Sequence, residues 1–102
     1  MTRNVRRSMP VKEQLETMAS VVIYTRQFCG YCTRAKKLLE SKGVDFTEYD
    51  ATYAPELRQE MMEKSRGGRT FPQIIINDVP VGGCDELHAL DRAGKLDDML
   101  AA

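Results

Sequence analysis

The pattern of apolar and polar residues divides the chain, from Val21 onward, into strand-length and helix-length segments. Val21–Thr25 is an apolar, mostly β-branched run, which predicts a strand buried on both faces. Thr33–Lys42 has the spacing of an amphipathic helix, and Gly43 is a residue type that commonly ends one. The apolar face of this helix consists of Ala35, Leu38 and Leu39.

The later segments continue the alternation of strand and helix. Pro55 suits the first turn of a helix, because its missing N–H is not needed there. Pro80 indicates that the last strand lies at a sheet edge. The predicted elements are strands at Asp45–Tyr49, Pro72–Ile76 and Val79–Val81, the helix from Pro55, and a last helical stretch from Asp85 to Leu100. The order βαβαββα predicts an α/β protein with a thioredoxin-like fold, a four-stranded mixed sheet flanked by helices.

Residues 1–19 do not share this pattern, and we assign 20–102 to the folded domain. The first twelve residues contain four basic side chains and no acidic one. We expect a flexible N-terminal extension with one helical turn at Pro10–Leu15. An Arg-rich, acid-poor start is also typical of an organelle transit peptide.

Composition narrows the class of function. Lys+Arg and Asp+Glu number 15 each, so neither nucleic acid nor a membrane is expected as a partner. No apolar stretch reaches the roughly 20 residues that span a bilayer, and no secretory signal is evident, so we expect a cytoplasmic protein. Three cysteines are too few, and odd in number, for a disulfide framework. We therefore interpret the cysteines as catalytic or metal-binding residues.

Two of these cysteines form the motif Cys29-Gly30-Tyr31-Cys32, between the first predicted strand and the first helix. This position places Cys29 beside the free N–H groups and the positive end of the helix dipole. We therefore expect a lowered pKa for the Cys29 thiol, with Arg26 adding a positive charge nearby. Cys32, one turn further into the helix, is placed to attack a mixed disulfide formed on Cys29.

Other interpretations of the cysteines remain. In one interpretation, Cys29 and Cys32 are unreactive structural thiols. In another, Cys29, Cys32, Cys84 and His88 bind zinc, since Cys84 and His88 are an i, i+4 pair on one helical face. The wide separation of the two halves in the sequence argues against a zinc site.

Three motifs in order resemble a dithiol glutaredoxin of the small bacterial type. They are Ile23–Cys32, Thr70–Ile74 and Gly82–Leu87, and the resemblance runs from about Val21 to Leu100. It implies a glutathione-dependent oxidoreductase that reduces protein disulfides and protein–glutathione mixed disulfides. Cys29 would be the nucleophile and Cys32 the resolving cysteine. A thioredoxin served by a flavoprotein reductase is disfavoured by the Gly83-Cys84-Asp85 motif and by the absence of tryptophan before Cys29.

The resemblance also assigns a glutathione site. Thr70-Phe71-Pro72 would supply backbone hydrogen bonds, with Pro72 in the cis form. Gly83-Cys84-Asp85 would receive the γ-glutamyl group, although Asp85 alternatively only caps its helix. Arg26 would bind the glycine carboxylate and Tyr31 would line the approach to the sulfur. The loop before Thr70 is one residue longer than usual, which leaves open whether Arg66 or Arg69 contacts glutathione.

Gly30 stands where most dithiol members of the family have proline. Related sites with glycine here sometimes hold a [2Fe-2S] cluster between two subunits, ligated by one active-site cysteine from each chain and two glutathiones. The alternative function is therefore a cluster-binding or cluster-transfer protein with Cys29 as the ligand. We expect a monomer, and a dimer only with a cluster. Cys84 is either inert or a site of regulatory oxidation, and His88 is expected on the helix surface.

Overall fold

The computed structural model describes residues 19–101. The predicted N-terminal extension, including its helical turn at Pro10–Leu15, therefore lies outside the described residues except for Ala19. The elements in the described range are β1 (Val21–Thr25), α1 (Gly30–Ser41), β2 (Thr47–Asp50), α2 (Pro55–Lys64), β3 (Gln73–Ile76), β4 (Val79–Gly82), α3 (Cys84–Arg92) and α4 (Lys95–Ala101).

The strands form one mixed sheet in the order β2-β1-β3-β4. β1 and β2 are parallel, with Tyr24 opposite Tyr49, because α1 crosses from the end of one strand to the start of the next. β3 is antiparallel to β1, and β4 returns along β3 as a hairpin. Pro80 lies in β4, at the sheet edge, as predicted. The thioredoxin-like α/β fold is confirmed.

The boundaries differ from the prediction at two helices. α1 begins at Gly30 and not at Thr33, so that Cys32 lies inside its first turn. The predicted last helical stretch is two helices, because Gly94 has a φ of +73° that interrupts the helix between Arg92 and Lys95. No helix in residues 19–101 is long and apolar enough to cross a membrane.

Side chains on the two faces of the sheet form separate buried clusters. The larger joins Ile23 and Ile74 with Ala35 and Leu39 of α1 and with apolar residues of α3 and α4. The smaller contains Tyr24, Met61 of α2 and Ile75. Because helices cover both faces of β1 and β3, these central strands are mostly apolar, and their polar residues Thr25 and Gln73 lie at the strand ends.

Candidate active site

Cys29 occupies the N-cap position of α1, in the loop that follows β1. Its φ of −118° and ψ of 102° are extended, and its Sγ accepts a hydrogen bond from the backbone N–H of Cys32 at 3.2 Å. A sulfur here lies at the positive end of the helix dipole as well as beside this donor, and a helix N-terminus is a site that binds anions. Cys29 is partly exposed, so a substrate disulfide can reach it.

Cys32 is buried, with 3% of its surface exposed. Burial raises the pKa of the Cys32 thiol to about 12, and a hydrogen bond with Cys29 adds to the rise, whereas the Arg26 backbone N–H lowers it. Both cysteines of the motif are free thiols. The accessible Cys29 and the buried Cys32 therefore have different environments, and their roles as nucleophile and resolving cysteine stay predictions.

The loop before β3 faces Cys29 from the other side. The Phe71–Pro72 peptide bond is cis, as the resemblance implied, and the Phe71 carbonyl lies 3.9 Å from Cys29 Sγ. Thr70 is held differently, because both its carbonyl and its hydroxyl oxygen accept hydrogen bonds from Gln73 Nε2, at 2.9 and 3.2 Å. Phe71 is thus the residue of this loop whose backbone is directed to the sulfur.

Two guanidinium groups stack on the Phe71 ring. Arg26 lies with its Cζ 6.0 Å from the ring centroid, and Arg58 with its Cζ at 5.4 Å. Arg58 is also held by the carbonyl oxygens of Ala51 (3.0 Å) and Thr52 (3.3 Å). The sequence predicted Arg26 but not Arg58. One signal could have found it, because α2 starts just beyond the carboxyl ends of the parallel strands, where α/β proteins bind ligands.

The start of α3 lies beside the Phe71–Pro72 loop, because Gly83 approaches the Pro72 carbonyl oxygen. We call the surface that runs from the Phe71 ring past Cys29 to the α3 start the groove. Gly83 is the N-cap and donates its N–H to Glu86 Oε1 at 2.7 Å, so this N–H is not free for a ligand. Cys84 and Asp85 occupy the first two helical positions, and no side chain caps them. Their N–H groups belong to the set that a helix leaves unpaired. Asp85 does not cap α3, which leaves its exposed carboxylate for another partner.

Gly83 also determines how closely the two loops approach. A Cβ atom at this position would lie 3.3 Å from the carbonyl oxygen of Pro72 and 3.2 Å from Glu86 Oε1. Contacts of that length are tighter than side chains normally make, so a larger residue would need these neighbours to shift by a few tenths of an ångström. Glycine therefore lets the α3 start and the Phe71–Pro72 loop approach this closely without such a shift.

Exposed aromatic residues flank Cys29. Tyr31 is 56% exposed, with Arg34 Cζ 5.9 Å from its ring centroid. Phe28, which the sequence did not predict as a site residue, is 98% exposed and directly precedes Cys29. Arg66 and Arg69 are exposed, and no contact within residues 19–101 assigns either to the groove.

Cys84 and His88 contact each other at the α3 start. Cys84 is buried, and its Sγ lies 3.4 Å from His88 Nδ1, which also lies 2.9 Å from the Cys84 carbonyl oxygen. Burial raises the pKa of the Cys84 thiol. His88 is partly exposed, and its ring packs back on the first turn of α3. Residues 19–101 contain no group of three or more His, Cys, Asp or Glu side chains that could hold a metal.

Comparison with known proteins agrees with this geometry. The glutaredoxin family model matches residues 21–81. The glutaredoxin of Pseudomonas aeruginosa is 58% identical over 85 residues, covering 83% of this chain and 100% of the relative. Glutaredoxin 3 of Escherichia coli K12 is 51% identical over 83 residues, covering 81% of this chain and 99% of the relative.

Solved structures give the same result. The solution structure of glutaredoxin from Brucella melitensis is 58% identical, with a TM-score of 0.72, and covers 83% of this chain and 91% of its own. A structure from work on metal binding of glutaredoxins is 55% identical, with a TM-score of 0.65 and coverage of 86% and 95%. A buckwheat glutaredoxin–glutathione complex is 29% identical, with a TM-score of 0.72 and coverage of 87% and 84%.

The fold, with a dithiol at a helix N-terminus, defines a thioredoxin-like thiol–disulfide oxidoreductase. The chain belongs to the glutaredoxin family.

Proposed function

We propose that this chain uses glutathione to reduce protein–glutathione mixed disulfides and protein disulfides. The observation that carries the proposal is the position of Cys29 Sγ, which lies between the first turn of α1 and the Phe71 carbonyl at 3.9 Å. A peptide lying along Phe71 would bring a sulfur of its own to Cys29. The cytoplasm, where thiols are kept reduced, is the compartment that suits this chemistry.

Glutathione matches the two ends of the groove. Its glycine carboxylate is an anion suited to the guanidinium groups of Arg26 and Arg58 on the Phe71 ring. Its γ-glutamyl group carries a carboxylate for the N–H groups of Cys84 and Asp85, and an ammonium for the Asp85 carboxylate. The solved complex of the buckwheat relative with glutathione supports the choice of this ligand.

Reduction of a glutathionylated protein needs Cys29 alone. The Cys29 thiolate attacks the glutathione sulfur, a Cys29–glutathione disulfide forms, and the protein sulfur leaves as a thiolate that takes a proton from solvent. A second glutathione thiolate then attacks the glutathione sulfur held on Cys29. Oxidised glutathione leaves, and Cys29 returns as a thiolate that the Cys32 N–H stabilises.

Reduction of a protein disulfide needs Cys32 as well. Cys29 attacks one sulfur of the substrate and forms a mixed disulfide with the protein. Cys32 then attacks the Cys29 sulfur, the Cys29–Cys32 disulfide forms, and the second protein thiol is released. Two glutathione molecules reduce the Cys29–Cys32 disulfide and become oxidised glutathione.

The test compares two electron sources for the same full-length chain. With a glutathionylated peptide as substrate, we expect turnover with glutathione, glutathione reductase and NADPH. Turnover confined to a thioredoxin reductase with NADPH would refute the glutathione assignment. A glutathione-binding measurement on a Cys29→Ser variant checks the groove separately from the chemistry.

The second candidate function is that of a [2Fe-2S] carrier. The structure of a 55% identical glutaredoxin, which comes from work on metal binding of glutaredoxins, supports this candidate. The residues fit the required donor set, because Cys29 is accessible and would contribute one thiolate per chain. A Cβ atom at Gly30 would meet nothing within 4 Å, so packing alone does not require glycine there. The absorption spectrum and oligomeric size of anaerobically purified protein test this: a colourless monomer contradicts the cluster function.

A further inference from the structure

A cavity of about 460 Å³ lies next to the dithiol, on the α1 side of the sheet. It is far larger than the roughly 30 Å³ that one water occupies. Exposed residues Gln27 and Phe28 are among its walls, so it reaches the surface. Its charged or ionisable lining residues are Arg26, Cys29, Cys32, Lys36, Glu48 and Asp50.

Glu48 is the most deeply buried acid of this cavity, with 8% of its surface exposed. One of its carboxylate oxygens accepts a hydrogen bond from Thr25 Oγ1 at 2.7 Å. Lys36 Nζ lies 3.2 and 3.3 Å from the two carboxylate oxygens. Lys36 follows Cys32 by one helical turn on the same face of α1, and Cys32, Lys36 and Glu48 all line this cavity.

The resolving step requires Cys32 to lose a proton inside the protein. The hydrogen-bond partners of its sulfur in the described range are Cys29 and the Arg26 backbone N–H, and neither is a base that can accept this proton. Once Cys29 is held in a mixed disulfide, its negative charge is gone, but burial still opposes formation of the Cys32 thiolate. A proton acceptor within reach of Cys32 would accelerate this step only.

We propose that the Glu48 carboxylate accepts the Cys32 proton, through water in the cavity, when Cys32 attacks the mixed disulfide on Cys29. This inference rests on the proposed reduction of protein disulfides. The Cys32 S–H bond breaks, and the proton passes by way of water to Glu48. The Cys32 sulfur bonds to the Cys29 sulfur, and the electron pair of the broken disulfide leaves on the protein sulfur. The proton on Glu48 then moves to solvent or to that departing thiolate.

The other groups around the cavity do not fill this role. Asp50 is engaged with Thr52, whose N–H lies 2.9 Å from its carboxylate, and these hydrogen bonds lower the pKa of Asp50, which makes it a weaker base. Lys36 and Arg26 are cations. Lys36 instead forms an ion pair with the Glu48 carboxylate at 3.2 Å, and the Thr25 hydroxyl donates a hydrogen bond that fixes the orientation of this carboxylate.

The decisive variant is Glu48→Gln, which keeps the size of the side chain and removes the base. We expect reduction of a peptide disulfide at neutral pH to fall about tenfold or more, because a positioned base contributes about 100-fold when in direct contact and less through water. Raising the pH should restore the rate, since hydroxide replaces the base. Reduction of a glutathionylated peptide, which does not use Cys32, should stay unchanged. Glu63→Gln, an exposed substitution on α2, is the matched control.

The direction of the rate change in Glu48→Gln distinguishes a Glu48 that accepts a proton from one that acts only through its negative charge. A negative charge near the sulfur opposes thiolate formation, so if Glu48 acted only through its charge, Glu48→Gln would accelerate disulfide reduction. An acceleration, or equal losses with both substrates, overturns the proposal. If the wild-type chain shows no glutathione-dependent activity with either substrate, that result refutes the proposed function and not this inference.

Further variants keep the test valid if Glu48→Gln folds poorly. Glu48→Asp retains a carboxylate and should recover part of the disulfide-reducing rate. Adding Glu48→Gln to Cys32→Ser should have no further effect on deglutathionylation.

Discussion

Replacement of Arg58 by methionine removes one cation from the groove and keeps the length of its aliphatic stem. The guanidinium is fixed by the carbonyl oxygens of Ala51 and Thr52 and by the Phe71 ring, so little rotamer freedom is lost when it binds an anion. The Arg26 guanidinium is held less firmly, because it donates a single hydrogen bond, to the Gln27 carbonyl oxygen at 3.4 Å. Arg58 should therefore contribute more to glutathione binding than Arg26.

The size of the effect follows from Coulomb interaction at an exposed site. Two unit charges about 4 Å apart in water interact by about 1 kcal/mol, and exposed ion pairs measure up to about 1 kcal/mol. A loss of about 1 kcal/mol corresponds to about fivefold in binding. We expect kcat/KM for a glutathionylated peptide to fall about fivefold in Arg58→Met, and about twofold in Arg26→Met, where the cation is less well held.

The assay uses two substrates on the same peptide, one carrying glutathione and one carrying cysteine in the mixed disulfide. The cysteine adduct lacks the glycine carboxylate, so its kcat/KM should not change in Arg58→Met. The fivefold loss should shrink as salt rises. Equal losses with both substrates, or a loss that does not respond to salt, would show that Arg58 acts by holding the Ala51–Thr52 loop and not by binding glutathione.

Two other predictions concern the far end of the groove and the buried thiols. Asp85→Asn should lower kcat/KM for the glutathionylated peptide by about fivefold, because it removes one exposed charge pair with the γ-glutamyl ammonium. The kcat/KM for the cysteine adduct should not change. If the ratio of kcat/KM for the two substrates stays as in the wild type, Asp85 does not contact the γ-glutamyl group. Iodoacetamide at neutral pH should modify Cys29 before Cys32 and Cys84, since the last two are buried and burial raises their pKa. Peptide mass spectrometry over time checks the order, and early labelling of Cys84 would be incompatible with it.

The fold was predictable because its signals are local. A continuous apolar run such as Val21–Thr25 has few alternatives to a buried strand, and Pro80 restricts β4 to an edge. The position of Cys29 followed from the same pattern, since the end of β1 and the start of α1 fix it at a helix N-terminus. The interruption at Gly94 was missed because the residues on both sides of it share one apolar periodicity.

Contacts between distant segments were not predictable in the same way. Arg58 reaches the groove only because the α2 start lies beside Phe71, and the sequence does not show that approach. Glu86 takes the Gly83 N–H, which limits the donors for the γ-glutamyl carboxylate to positions after Gly83. Glu48 looks like an ordinary polar residue of a strand, and only the packing of α1 against β2 places it beside the dithiol.

The most direct measurement of the central claim compares Cys29→Ser and Cys32→Ser in glutathione-dependent turnover of two substrates, a glutathionylated peptide and a peptide disulfide. We predict that Cys29→Ser abolishes both reactions, because the accessible sulfur at the α1 N-terminus is the nucleophile. Cys32→Ser should retain reduction of the glutathionylated peptide and lose reduction of the disulfide. Equal loss of the two reactions in Cys32→Ser, or glutathione-dependent turnover that persists in Cys29→Ser, would contradict the account.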